Sequence, residues 1–215
     1  MRERHFRCPE VLFLAAALVG WGFLTPRFPA AWRVVVQAGV GALLVRLTRA
    51  PLGLRPPRLW TGLRWGSAAG AAAAVAIAGT TAIAPVRDSM AARRLPASTP
   101  AWLLLRIPLG TVWAEEAAFR AALARLGSRG PGDAAGGRLL QAGAFGLFHI
   151  ADARATGEPV AVTVLATAIG GWAFGWLADR SGSLAAPMLA HLAVNEAGAI
   201  AALLVRRDRW KRSSR

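Results

Sequence analysis

The chain has 215 residues, 55% of them hydrophobic and 17% charged, with 26 Lys and Arg against 11 Asp and Glu and a formal net charge of +15. Its mean hydropathy is +0.40 and it lacks apolar–polar alternation, which excludes a soluble sheet protein. Cys8 is the single cysteine, which excludes an intrachain disulfide and a cysteine-based zinc cluster.

Apolar runs separated by Pro and Gly predict a series of helices. The first, 11–24, follows Arg2, Arg4 and Arg7 and is similar to a secretory signal peptide; further apolar segments downstream make a retained helix the expectation. Segment 30–47 starts after Pro26 and Pro29, and 62–84 after Pro51 and Pro56-Pro57. The latter is rich in Ala, and Gly66 and Gly70 form a small-xxx-small pair that suits close helix packing. Segment 101–126 follows Pro85, Pro96 and Pro100, and 139–150 follows Gly130-Pro131-Gly132. Segment 160–178 follows Gly157 and Pro159, and 184–205 follows Ser181-Gly182. Trp60, Trp65, Trp102 and Trp210 fall near expected helix ends and read as interfacial anchors.

The expectation is an all-α, polytopic transmembrane bundle of about seven helices, forming a single integral membrane domain over 1–215. Seven crossings place the two basic termini on opposite sides, against the positive-inside tendency, so 139–150 is the candidate for a re-entrant segment; its 12 or so residues span only about 18 Å as a helix. A pI near 12.0 could indicate nucleic-acid binding. The placement of the charge argues otherwise: arginines cluster between apolar runs and at the ends, including Arg206, Arg207, Arg209, Lys211, Arg212 and Arg215, as suits an anionic bilayer surface. The expected partner is the lipid bilayer, with no nucleic acid.

Three short motifs place ionisable groups inside these apolar segments: Glu115-Glu116-Ala117-Ala118-Phe119-Arg120, Phe145-Gly146-Leu147-Phe148-His149, and His191-Leu192-Ala193-Val194-Asn195. Charges at membrane depth cost several kcal/mol, so such residues face a bundle interior and pair with one another. On an α-helix Glu116 and Arg120 share a face, while Glu115 points about 100° away and is left free. Phe145 with His149, and His191 with Asn195, each share a face. A carboxylate and an imidazole can hold and deprotonate a water, while a second imidazole and a carboxamide can donate to a developing oxyanion. Together Glu115, His149, His191 and Asn195 suffice for amide hydrolysis. Both glutamates balancing Arg120 and Arg125, and each His as an interhelical hydrogen bonder, are the structural alternatives.

With these motifs in this order on successive helices, the chain resembles the CPBP intramembrane proteases, which include the CAAX prenyl endopeptidases and bacterial bacteriocin-processing or self-immunity proteins. The run Arg180-Ser181-Gly182-Ser183-Leu184 through Pro187-Met188-Leu189-Ala190 is similar to that family's approach to its last motif, and the likeness covers a core of about 101–200. The resemblance implies an all-helical bundle around an intramembrane polar cavity. It implies Glu115 as the catalytic glutamate activating water, His149 as its partner, His191 with Asn195 as the oxyanion hole, and Glu116 and Arg120 as supports. It also implies a membrane-associated protein or peptide as substrate and a bacterial inner or plasma membrane as the location. The CAAX enzymes carry a further membrane helix, whereas about 20 residues follow Asn195 here, which points to a more open site or one closed by a partner. Glu196 is a further carboxylate with an ion pair as its default reading.

No cofactor is expected. The alternative is zinc held by Glu115, His149 and His191, although His-Glu-x-x-His is absent. Two other functions compete: a non-catalytic binding or immunity protein using the same cavity, and a transporter using the carboxylates as a proton relay. No inverted repeat supports the transporter.

Overall fold

A computed structural model describes residues 8–93, 95–127 and 134–213. Arg2, Arg4, Arg7, the Gly130-Pro131-Gly132 break and Arg215 lie outside the described residues. Among the described residues the chain is helical and contains no strand. Helix α1 is Cys8–Leu24 and α2 is Ala30–Thr48, joined by a tight turn that carries Pro26. Helix α3 is Arg58–Thr80 and α4 is Ala84–Ala92. Helix α5 is a continuous helical run over 99–127. It is followed by α6, Ala134–Phe148, α7, Ile150–Thr156, α8, Val160–Ser181, and α9, Ala185–Ser213.

Each apolar segment read from the sequence is helical, with differences that have physical causes. The segment expected over 62–84 stops at Thr80, and α4 leaves it at 97°. Pro85 sits in the first turn of α4, where its missing N–H costs nothing, after Ile83 in extended backbone. The expected 139–150 helix begins earlier and breaks at His149, whose φ of −83° and ψ of 0° lie in the bridge region. Three helices, Pro9–Arg27, Val160–Ser181 and Ala185–Lys211, are long and apolar enough to cross a membrane, and the bent α3–α4 pair would make a fourth.

Helix α5 departs furthest from ideal geometry. Its stretches Trp102–Trp113 and Glu116–Leu123 are wound as π-helix, and Pro108 lies inside the first. A proline in an α-helix clashes with the carbonyl four residues back, and the wider i→i+5 turn relieves that crowding. Residues 114–123 are all buried, enclosed by neighbouring helices. One face of this stretch packs Ala118, Phe119 and Leu123 against Val11, Ala15 and Leu18 of α1 and Ala144 and Phe145 of α6.

Helix α9, which carries His191, is aligned by α3 and by the turn before it. Gly62, Gly66 and Gly70 present backbone to α9, and a Cβ at Gly66 would lie 2.8 Å from the Ala186 carbonyl oxygen and 2.9 Å from Leu189 Cβ. Gly182, at φ +65°, closes α8 in the left-handed conformation. Ser183 Oγ accepts from the Ala185 N–H at 3.2 Å, capping α9, and donates to the Gly53 carbonyl at 2.8 Å. Thus the Ser-Gly-Ser sequence fixes where α9 starts and ties it to the loop after α2. Trp65, expected as an interfacial anchor, instead packs edge-on against Trp176 at 5.4 Å with Arg180 over its ring, joining α3 to α8.

Gly66→Val should therefore destabilise the solubilised protein by about 1–3 kcal/mol through overpacking of α3 on α9. Gly79→Val, where a Cβ meets nothing within 4 Å, should leave the unfolding midpoint unchanged. Thermal unfolding of both variants in the same detergent checks the contrast.

Candidate active site

The three motifs converge on one point in the bundle. Glu115 and Glu116 come from α5, His149 from the α6–α7 break, and His191 from α9. The His191 ring is bracketed by both glutamates: its Nδ1 lies 2.8 Å from Glu116 Oε1, and its Nε2 lies 3.8 Å from Glu115 Oε2. His149 Nε2 lies 4.0 Å from the same Glu115 oxygen. Two imidazole nitrogens from different helices thus face one carboxylate oxygen.

The second ring nitrogen of each histidine fixes its tautomer. His149 Nδ1 meets the Phe145 carbonyl at 2.8 Å, a partner that can only accept, so this nitrogen carries hydrogen and Nε2 is turned toward Glu115. The break at His149 makes this possible, since its N–H bonds the Gly146 carbonyl at 3.1 Å in a tightened turn. His191 Nδ1 likewise donates to the Glu116 carboxylate.

Glu116 also pairs with Arg120, whose Nη1 lies 3.3 Å from Oε1, and both side chains are fully buried. The guanidinium carbon lies 3.9 Å from the Phe145 ring centroid and 5.2 Å from that of Phe174. Ring faces at this distance attract a cation by about 2 kcal/mol or more once water is excluded. Phe174 also stacks on His191, with centroids 4.9 Å apart and planes at 24°. Arginine, histidine and glutamate are therefore clamped as one unit between aromatic rings.

Consecutive glutamates approach opposite nitrogens of one ring: Glu116 is hydrogen-bonded to it, while Glu115 Oε2 has no hydrogen-bond partner among the described residues. In the i→i+5 winding Arg120 stands one turn from Glu115 as well as near Glu116. Asn195 sits one turn beyond His191 on α9, half-buried, and its Nδ2 donates to the His191 carbonyl at 3.1 Å. That uses one amide hydrogen and leaves the second.

Among the described residues no group of three His, Cys, Asp or Glu side chains is placed to hold a metal ion. The 3.8 and 4.0 Å separations at Glu115 exceed the roughly 3.3 Å between neighbouring ligands of a tetrahedral zinc with bonds near 2.05 Å. The donor set as arranged does not fit that metal.

Sequence reasoning missed three residues near this centre. Phe174 carries no polar signal, and its stacking on His191 depends on how α8 and α9 pack. Gln141 is 1% exposed and donates to the Gly171 carbonyl at 3.3 Å, fastening α6 to α8 beside Phe145. Gln37, on α2, lines a small cavity together with Glu115. Gln37 and Gln141 are the only glutamines in the chain, and two amides in apolar helices were a signal of the same kind as the charged motifs.

The resemblance drawn from the motifs holds over the segment that carries them: residues 97–197 match the family model described as type II CAAX prenyl endopeptidase Rce1-like. The matched stretch contains all three motifs. No curated protein and no solved structure matches the chain.

The buried pair yields a stability prediction. Arg120→Met should cost about 3–5 kcal/mol by leaving the Glu116 carboxylate uncompensated, and Glu116→Gln combined with Arg120→Met should recover a substantial part of that loss. Chemical unfolding of the single and double variants in detergent measures both.

Proposed function

We propose that this chain, Rce1-like over residues 97–197, is an intramembrane endopeptidase that cleaves a peptide bond of a membrane-associated protein or peptide by glutamate-activated water. The family match supports a CAAX-type protease embedded in a membrane. One observation carries the mechanism: His149 Nε2 and His191 Nε2 both face Glu115 Oε2, at 4.0 and 3.8 Å. These separations are too long for direct hydrogen bonds. A water about 2.8 Å from two such atoms subtends roughly 90°, which one molecule shared by the carboxylate and an imidazole satisfies.

In this reading Glu115 takes a proton from the shared water as its oxygen attacks the scissile carbonyl carbon, forming the new C–O bond. His149, held by the Phe145 carbonyl, keeps the water in line. With its Nδ1 hydrogen given to Glu116, His191 stabilises the oxyanion through Nε2–H as a doubly protonated ring counter-charged by the Glu116 carboxylate, together with the second amide hydrogen of Asn195. As the C–N bond breaks, Glu115 returns its proton to the leaving amine. Glu116 and Arg120 hold His191 in place. A bundle of about seven helices in a bacterial inner or plasma membrane is the setting, and the substrate approaches from the side of His149, the more exposed of the two histidines.

Glu115→Gln should lower cleavage of membrane-tethered peptides by at least about 10²–10⁴-fold while expression, insertion and unfolding midpoint stay as in the parent protein. A chelator should leave cleavage by the parent protein intact. An active Glu115→Gln variant would reject the mechanism, and loss to chelator with recovery on added zinc would establish the metal version. Function retained in cells by Glu115→Gln with His149→Ala would instead identify a non-catalytic binder.

A further inference from the structure

Beside Glu115, residues of α1, α2, α5 and α6 line a cavity of about 20 Å³. Its walls include Leu18, Trp21, Gln37, Val40, Glu115 and Phe148. A polar cavity needs on the order of 10–15 Å³ to hold one water, so this one accepts a single molecule and no substrate. Apart from the Trp21 indole, the polar side chains on its walls are the Gln37 amide and the Glu115 carboxylate.

Two further observations place Gln37 at this point. The α2 backbone is pinned to α5 one residue further on, where Trp113 Nε1 donates to the Ala38 carbonyl at 3.1 Å. Gln37 lies against Gly110, where a Cβ would sit 3.4 Å from Gln37 Oε1 and 3.3 Å from Val34 Cγ2.

We propose that Gln37 is a positioning residue for Glu115, acting through one buried water that bridges its amide to the carboxyl group. This rests on the reading of Glu115 as the reacting group. The amide and its water hold the carboxyl rotamer, so that Oε2 is presented to His149 and His191 in one orientation. Outer partners of reacting groups typically change rates by about 10–100-fold.

The test is isotope-edited infrared spectroscopy of the full chain in detergent, comparing the parent protein, Glu115→Gln and Gln37→Met, which keeps length and volume but removes the amide; Gln37→Leu serves if the methionine variant does not fold. Bands missing in Glu115→Gln belong to the Glu115 carboxyl. They should shift in Gln37→Met, and an identical band position overturns the proposal. This readout needs no substrate, so it is decided separately from the protease reading, which fails on an active Glu115→Gln instead. On a tethered peptide that the parent protein cleaves, Gln37→Met should lower kcat about 10–100-fold with KM within about 2-fold. An unchanged kcat overturns the positioning role.

Discussion

The rest of the site depends on one buried ion pair, Glu116 with Arg120. Removing a carboxylate and a guanidinium from water costs several kcal/mol per ion, and in a bilayer-embedded bundle no solvent is at hand to relieve it. Partners on other helices offset part of that cost, although the Arg120 nitrogens and Glu116 Oε2 have no hydrogen-bond partner among the described residues. Glu116 takes the Nδ1 hydrogen of His191 on α9, and Arg120 lies over Phe145 on α6 and Phe174 on α8. A contact needed to neutralise α5 therefore also holds three other helices around it. The orientation of His191 is a by-product of charge compensation.

The winding of α5 determines which groups this pair leaves over. Consecutive helical residues point about 100° apart, so two neighbouring glutamates meet one imidazole from different sides. In the i→i+5 run, Glu116 reaches Nδ1 and Glu115 approaches Nε2 of the same ring. One carboxylate is consumed in structure. The other is left with an oxygen aimed between two histidines. Insertions of this kind in helices recur at functional sites because they re-aim side chains that a regular helix would splay. Pro108 relaxes the upstream part of the run, and Gly110 thins it where α2 approaches.

Much of this was legible in the sequence, for a physical reason. Apolar runs broken by Pro and Gly mark helices, and ionisable residues inside those runs are too costly to be incidental, so Glu115, Glu116, Arg120, His149, His191 and Asn195 stood out. The Glu116–Arg120 pairing followed from their spacing alone. The i→i+5 winding was not legible, because a stretch buried all round, as 114–123 is, leaves no polar–apolar periodicity to separate the two helix types. Nor was the break at His149, where no Pro or Gly adjoins the histidine, or the stacking of Phe174 on His191, an aromatic ring among many. Trp65 looked like an end anchor because sequence distance from a proline does not reveal which neighbour a side chain meets.

The same economy accounts for the position of the reactive face. Non-helical backbone at membrane depth is tolerated only where protein or a water-lined cavity satisfies its polar groups. The α6–α7 break meets that condition internally: the His149 N–H bonds Gly146 and its Nδ1 bonds Phe145. Both bonds leave Nε2 facing Glu115, so satisfying the break and aiming the imidazole are the same act. His149 is also the more solvent-exposed of the two histidines, whereas His191 is sealed by Phe174 and Glu116. The Glu115 oxygen is therefore more open on the His149 side, with the α9 side already filled by the groups that hold the charge.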